Sequence, residues 1–152
     1  MAAATTLHAS CVVVGEAGIL VRGPSGSGKS SLARDLVLHG AQSGRFARLV
    51  GDDRVRVENR NGRVVARAVI ALAGMIEVRG IGLLTVPYEK SVILRWVVDL
   101  VEDPPRLPEP AERAATLCGV SLARIAARPE PGLGQAILLR LGHPCDTLMT
   151  DR

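Results

Sequence analysis

Short apolar runs rich in valine, each broken by a turn signal, dominate the chain, and only one segment carries a clear helical period. Ser10 to Gly15 and Gly18 to Arg22 flank Gly15-Glu16-Ala17-Gly18, a pattern that predicts a β-hairpin. From Ser30 to His39, Leu32 and Leu36 with Ala33 and Val37 recur at three- and four-residue spacing. This predicts a helix, with Gly40 as its C-cap. Phe46 to Gly51 reads as a buried strand closing on Asp52-Asp53. Arg54 to Glu58 and Arg63 to Ile70 form a second hairpin around Asn59-Arg60-Asn61-Gly62.

Met75 to Val86 is apolar but interrupted by glycines, and Ser91 to Val101 reads as a strongly apolar strand. A proline-rich linker, Asp103 to Pro110, follows. Beyond it the pattern predicts a short helical stretch at Ala111 to Leu117, a strand near Leu122 to Ala126, and a helix or strand near Gln135 to Leu141. The expected class is α/β with a β-rich core sheet and flanking helices, not the regular alternation of a doubly wound sheet. At 152 residues the expectation is one domain, residues 1–152.

Composition adds exclusions. The only aromatic residues are Phe46, Tyr88 and Trp96, which leaves no stacking platform for bases and argues against a nucleic-acid partner. The net charge of +4 rests on 17 arginines against two lysines, scattered and without a basic run. Cys11, Cys118 and Cys145 have neither disulfide-framework nor zinc-site spacing. With no signal-peptide pattern and no membrane-length apolar run, the chain is expected to be cytoplasmic and free of membrane.

The strongest chemical signal is Gly23-Pro24-Ser25-Gly26-Ser27-Gly28-Lys29-Ser30, which fits G-x-x-x-x-G-K-[ST] between a strand and a helix. Glycines let backbone N–H groups close around phosphates, the helix N-terminus adds its dipole, and the lysine reaches the β- and γ-phosphates. The Ser30 hydroxyl is placed to bind Mg²⁺. The chain is therefore expected to bind ATP or GTP. Transfer also needs a carboxylate for the metal and a proton acceptor for the attacking hydroxyl. Candidates are the pair Asp52-Asp53, Glu77, and Asp99 within the run ending at Val101. Adjacent carboxylates repel, one way to prepare a proton acceptor, so Asp52-Asp53 ranks above Asp99, which sits as in a plain strand.

Four features in order resemble the catalytic domain of HPr kinase/phosphorylase, which phosphorylates a serine of the phosphocarrier protein HPr. They are His8, the loop Gly23 to Ser30, the strand end Leu49-Val50-Gly51-Asp52-Asp53-Arg54-Val55, and Ile76-Glu77-Val78-Arg79-Gly80-Ile81-Gly82. The likeness covers about residues 8 to 86. It implies the P-loop fold shared with phosphoenolpyruvate carboxykinases, ATP and Mg²⁺ as cofactors, an HPr-type partner, and a homo-oligomer, a hexamer in the family. It further implies that Asp53 takes the serine proton and Lys29 contacts the phosphates. Ser30 and Glu77 would hold Mg²⁺, while His8 orients the aspartate. His39 and His143 match nothing and read as surface residues.

Departures point to a kinase with weakened phosphorolysis. Pro24 stands where an acidic residue is common, and Leu133 stands where the family's basic loop has an arginine. The N-terminal domain of long members is expected to be absent ahead of His8, and the tail after Leu141 is expected to be short. Two rivals remain. A small-molecule P-loop kinase would place its loop after the first strand and follow it with helix–strand alternation. A nucleotide-sensing module would need fewer of Lys29, Asp53, Glu77 and His8.

Overall fold

The computed structural model of the protein describes residues 4–142. Strand β1 (Thr5–Leu7) leads into the hairpin of β2 (Ala9–Val14) and β3 (Ala17–Arg22), and the glycine loop then runs into helix α1 (Lys29–Gln42). Strands β4 (Ala47–Gly51), β5 (Val55–Arg60) and β6 (Arg63–Ala68) come next. They are followed by a small separate hairpin of β7 (Met75–Val78) and β8 (Gly82–Thr85). The long β9 (Ser91–Leu100), the pair β10 (Ala114–Leu117) and β11 (Val120–Ala127), and helix α2 (Leu133–Gly142) complete the described chain.

Strand β9 organises the architecture because it changes partners along its length. Ser91 to Ile93 pair antiparallel with β6. Trp96 to Leu100 pair parallel with β11, while the opposite edge runs parallel to β3. The register slips between Gly18 and Ile19 of β3, leaving Arg95 as an extra residue in β9. Such a bulge bends a strand and re-aims its side chains. The sheet forks there, with β4-β2-β3-β9-β11-β10 forming one layer and β1-β5-β6 curling away as another.

The first layer is buried on both faces, which is why β2 and β3 read as continuous apolar runs. Val12, Val14, Ile19 and Val21 meet Leu32 and Leu36 of α1 and Ile137 and Leu138 of α2 on one side. On the other, Cys11, Val13, Leu20 and Val97 meet Val55, Val57, Val64 and Ala66 of the curled layer. Burying one such side chain stabilises the fold by about 1.5–3 kcal/mol. The observed class is mixed α/β: a β-rich, curled sheet with two α-helices among the described residues.

Two sequence expectations need correction. Gly40 lies inside α1, not at its cap; the helix runs on to Gln42, and Gly44 at φ 80° takes the left-handed position beyond the end. Gly40 serves packing instead, because an added Cβ would stand 3.0 Å from Ala47 Cβ. The expected helix at Ala111 to Leu117 is a 3-10 turn, Pro110–Arg113, followed by β10. Glu109 and Glu112 box-cap the turn, and Cys118-Gly119, with φ 50° and 76°, closes a two-residue hairpin onto β11. That pairing outweighs the helical bias of the alanines. The ambiguous segment Gln135 to Leu141 is helical. Cys11 and Cys118 are free thiols, whereas Cys145, His143 and the tail lie outside the described residues.

Candidate active site

Strand β3 ends at Arg22, and the chain immediately makes the phosphate loop. The turn closes through Ser27 N–H donating to the Pro24 carbonyl at 3.0 Å. Gly23 is required by crowding, since a Cβ there would stand 2.5 Å from Ser27 Oγ and 3.1 Å from Leu100 Cβ. Gly28 is required by conformation: it occupies the N-cap of α1 at φ 98° and offers no side-chain cap. The first-turn N–H groups of α1 therefore have no side-chain acceptor at the cap, and the first turn holds no acidic residue to oppose an anion. Lys29 is buried, its Nζ donating to the carbonyls of Gly23 at 2.9 Å and Pro24 at 3.1 Å. These bonds hold the ammonium over the loop.

The loop opens on a cavity of about 460 Å³. Ser25, Gly26, Gly28, Lys29 and Ser30 form one wall, and His8, Asp53 and Glu77 with Arg79 form the other. Arg34 contributes from the second turn of α1. Gly23, Pro24 and Ser27 do not line it; they shape the loop behind. His8, Lys29, Ser30, Asp53 and Glu77 thus converge from four places in the chain. His39 lies half-buried elsewhere on α1.

The two adjacent aspartates do different things. Asp52 is buried, and its Oδ1 accepts from Ser30 Oγ at 2.6 Å and Ser10 Oγ at 2.9 Å. Its Oδ2 accepts from the backbone N–H of Glu77 at 3.4 Å. Asp53 sits at φ 65°, a left-handed conformation uncommon outside glycine, asparagine and aspartate, which turns its carboxylate out to meet His8 Nε2. The pair is therefore split by the backbone, with one carboxylate bonded to hydroxyls and the other in the open cavity.

Sequence reasoning passed over Asp52 as a partner of Ser30 and missed Ser10 altogether. The available signal for Ser10 was a lone polar residue in an otherwise apolar strand, and it is fully buried. Its hydroxyl also accepts from the Asp53 backbone N–H at 3.3 Å, tying both aspartates to β2.

Asp99 does not line the cavity. It accepts from Arg22 Nε at 2.7 Å, Arg22 Nη2 at 2.9 Å and Arg124 Nε at 2.6 Å. Burial pushes its carboxyl up, but the bonds and charges of the two arginines outweigh this and hold it below the usual carboxylate range. Arg22 is raised above its ordinary value, chiefly by the bond to Asp99.

The sequence profile of the HPr Serine kinase C-terminal domain matches residues 1–91. The HPr kinase/phosphorylase of Clostridium tetani is 39% identical over 87 residues, 57% of this chain and 27% of that protein. The HPr kinase/phosphorylase of Clostridium beijerinckii is 40% identical over 86 residues, 57% and 26% respectively. The chain spans about a quarter of the length of these curated relatives. The solved structure of the Hpr(Ser) kinase/phosphatase from Coxiella burnetii superposes with a TM-score of 0.73, covering 97% of this chain and 93% of that one. At 23% identity it shows a shared fold.

Proposed function

The chain belongs to the HPr serine kinase C-terminal domain family, and we propose that it transfers the γ-phosphoryl group of ATP to a serine hydroxyl of an HPr-type phosphocarrier protein in the cytoplasm. The observation that carries this reading is the His8–Asp53 pair facing the phosphate loop across one cavity. A serine hydroxyl is a weak nucleophile that benefits from a positioned proton acceptor. Asp53 supplies the acceptor, solvent-reachable and oriented by His8. As the serine oxygen bonds to the γ-phosphorus, the bond to the β–γ bridging oxygen breaks. The hydroxyl proton passes to Asp53, and ADP leaves. Lys29, Arg34 and Arg79 set positive charge around the transferring group.

The donor set fits Mg²⁺. Mg²⁺ is commonly held by one or two carboxylates together with substrate phosphates, not by a full protein cage. In keeping with that, no cluster of three His, Cys, Asp or Glu able to hold a metal occurs among the described residues. Ser30 and Glu77, with Asp52 behind Ser30, are the oxygen donors at the loop. Bound there, Mg²⁺ would neutralise charge on the β- and γ-oxygens.

The same site is proposed to run phosphorolysis of the phosphoserine slowly. Leu133 adds no charge, and Arg128 Nε is engaged by the Glu102 carbonyl at 2.8 Å. Two anions, phosphate and phosphoserine, then approach with no help from this loop beyond the charge of Lys29, Arg34 and Arg79. The assembly is proposed to be a homo-oligomer, a hexamer as in the resembling family, and the fold the one shared with phosphoenolpyruvate carboxykinases.

Incubating an HPr-type protein with this chain and Mg-ATP, then mapping phosphate by mass spectrometry, tests the reading. One phosphorylated serine is expected with wild type and none with Lys29→Ala. A Lys29→Ala rate within about tenfold of wild type, only 1.4 kcal/mol in barrier, would overturn the phosphate-site assignment.

A further inference from the structure

The ladder between β2 and β4 ends at the pair Cys11–Gly51. One residue further, Ser10 on β2 faces the turn into which β4 runs, and its side chain takes over where the backbone pairing stops. Resting on the kinase reading above, we propose that Ser10 is a positioning residue for the transfer. Its hydroxyl fixes where Asp53 stands relative to the Asp52–Ser30 pair at the phosphate loop.

The direction of each bond follows from the groups that make it. An ionised carboxylate only accepts, so the Ser10 proton goes to Asp52 Oδ1 at 2.9 Å. A backbone N–H only donates, so Asp53 N–H takes a lone pair of the same hydroxyl at 3.3 Å. Asp52 Oδ1 also accepts from Ser30 Oγ at 2.6 Å. One hydrogen-bonded chain therefore runs from the start of α1, through Asp52 and Ser10, to the backbone of Asp53. Ser10 is fully buried, and a buried partner left unsatisfied is costly, so the link is made rather than optional.

Asp53 is the residue that needs such a link. Arg54 N–H bonds back to the Asp52 carbonyl at 2.8 Å, closing a γ-turn with Asp53 at its centre, at φ 65°. The positive-φ form of that turn is the rare one, so its surroundings must hold it. Strand β2 and the residue before it supply both holds. His8 meets the carboxylate of Asp53, and Ser10, two residues on, meets its N–H. The His8 contact is half exposed, whereas the Ser10 contact lies in the core, which makes Ser10 the fixed end. A general base works only within reach of the proton it takes, and a displacement of about 1 Å can cost about 10²-fold in rate.

Three variants of the whole chain test the role: Ser10→Ala, Ser10→Thr, and Ser10→Ala combined with Asp53→Asn. Single-turnover transfer at saturating Mg-ATP, Mg-ATP affinity by calorimetry, and hydrogen exchange of the Asp53 amide are measured well below the melting transition. Ser10→Ala is expected to slow transfer by about tenfold or more, change ATP affinity by less than about twofold, and speed exchange at Asp53. Ser10→Thr keeps the hydroxyl and should recover most of the rate. In the Asp53→Asn background, Ser10→Ala should add less than about twofold, because the group it positions is already gone. If Ser10→Ala does not fold, Ser10→Cys, near in size and weak in hydrogen bonding, takes its place under the same expectations. A wild-type rate in Ser10→Ala, unchanged exchange at Asp53, or a full multiplicative loss in the double variant would each overturn the role while leaving the kinase reading standing. Absence of transfer by wild type would instead sink the kinase reading, and the role with it.

Discussion

Aspartates stand at the ends of two apolar strands beside the phosphate loop, and they have opposite fates. At the end of β4, Asp52 and Asp53 face hydroxyls, a histidine and the cavity. Near the end of β9, Asp99 faces two arginines, with Arg22 immediately preceding the loop and Leu100 packing under Gly23. The local pattern, an apolar run closed by an acid, is the same in both. What differs is the neighbour that each strand meets across the sheet. Parallel registration sets Asp99 level with Arg22 on β3, whereas the β2–β4 pairing brings Ser10 beside Asp52. A carboxylate clamped by two guanidiniums is neutralised and fixed, so it serves structure. One held by hydroxyls, or left open to the cavity, is not clamped in this way.

The largest effect that would break this comparison belongs to Asp53→Asn. Removing a positioned general base costs about 10²–10⁴ in rate. Because the side chain is 60% exposed, thermal stability should stay near wild type, and ATP affinity should change little. A variant that keeps a wild-type single-turnover rate would take Asp53 out of the chemistry. Next comes Asp52→Asn, expected as a smaller loss of rate joined to a raised Mg²⁺ requirement, because Ser30 loses its charged partner. If rate assays across a Mg²⁺ series find Asp52 the more damaging position, the two roles are exchanged.

Asp99→Ala should reverse the pattern, harming stability and sparing chemistry. It leaves Arg22 and Arg124, both partly buried, facing each other without a counter-charge. Removing one partner of a fully buried pair costs about 3–5 kcal/mol, and partial exposure lowers this to about 1–3 kcal/mol here. The melting temperature should fall by about 2–4 °C for each kcal/mol. The rate per folded molecule, measured well below the transition, should be close to wild type. A stable but inactive variant would place Asp99 in the site after all.

What was legible in the sequence followed how local the cause was. The β2–β3 and β5–β6 hairpins announce themselves through turn residues, with Asn61 and Gly62 both at positive φ. The phosphate loop is legible because a backbone that wraps an anion needs glycine at fixed positions. The β10–β11 hairpin was hidden because Cys118 takes a left-handed turn position usually given to Asn, Asp or Gly. Gly40 was misread because a helix-ending glycine and a close-packing glycine look alike until Ala47 is seen against it. The Asp52–Ser30–Ser10 cluster joins residues up to 42 positions apart and exists only in the folded sheet. Beyond residue 91 the family profile ends, yet the likeness in fold spans 97% of the chain.

The smallest expected effect is the pH dependence of the Asp99 clamp. The folded carboxyl lies below its ordinary value because two arginine partners outweigh the cost of burial. In the unfolded chain it titrates near the model-peptide value of about 3.9. A group depressed on folding binds fewer protons in the native state, so its contribution to stability is complete above the unfolded value. As pH falls through about 3.9 and toward the folded value, that contribution is lost. Asp99→Asn keeps the size of the side chain and removes the titration. The gap in melting temperature between wild type and Asp99→Asn should therefore be constant from about pH 7 to 5 and shrink below about pH 4. A gap for Asp99→Asn that stays constant to pH 3, or widens, would mean that the arginines do not stabilise its charged form. The contrast between the two strand ends would then have lost its electrostatic basis.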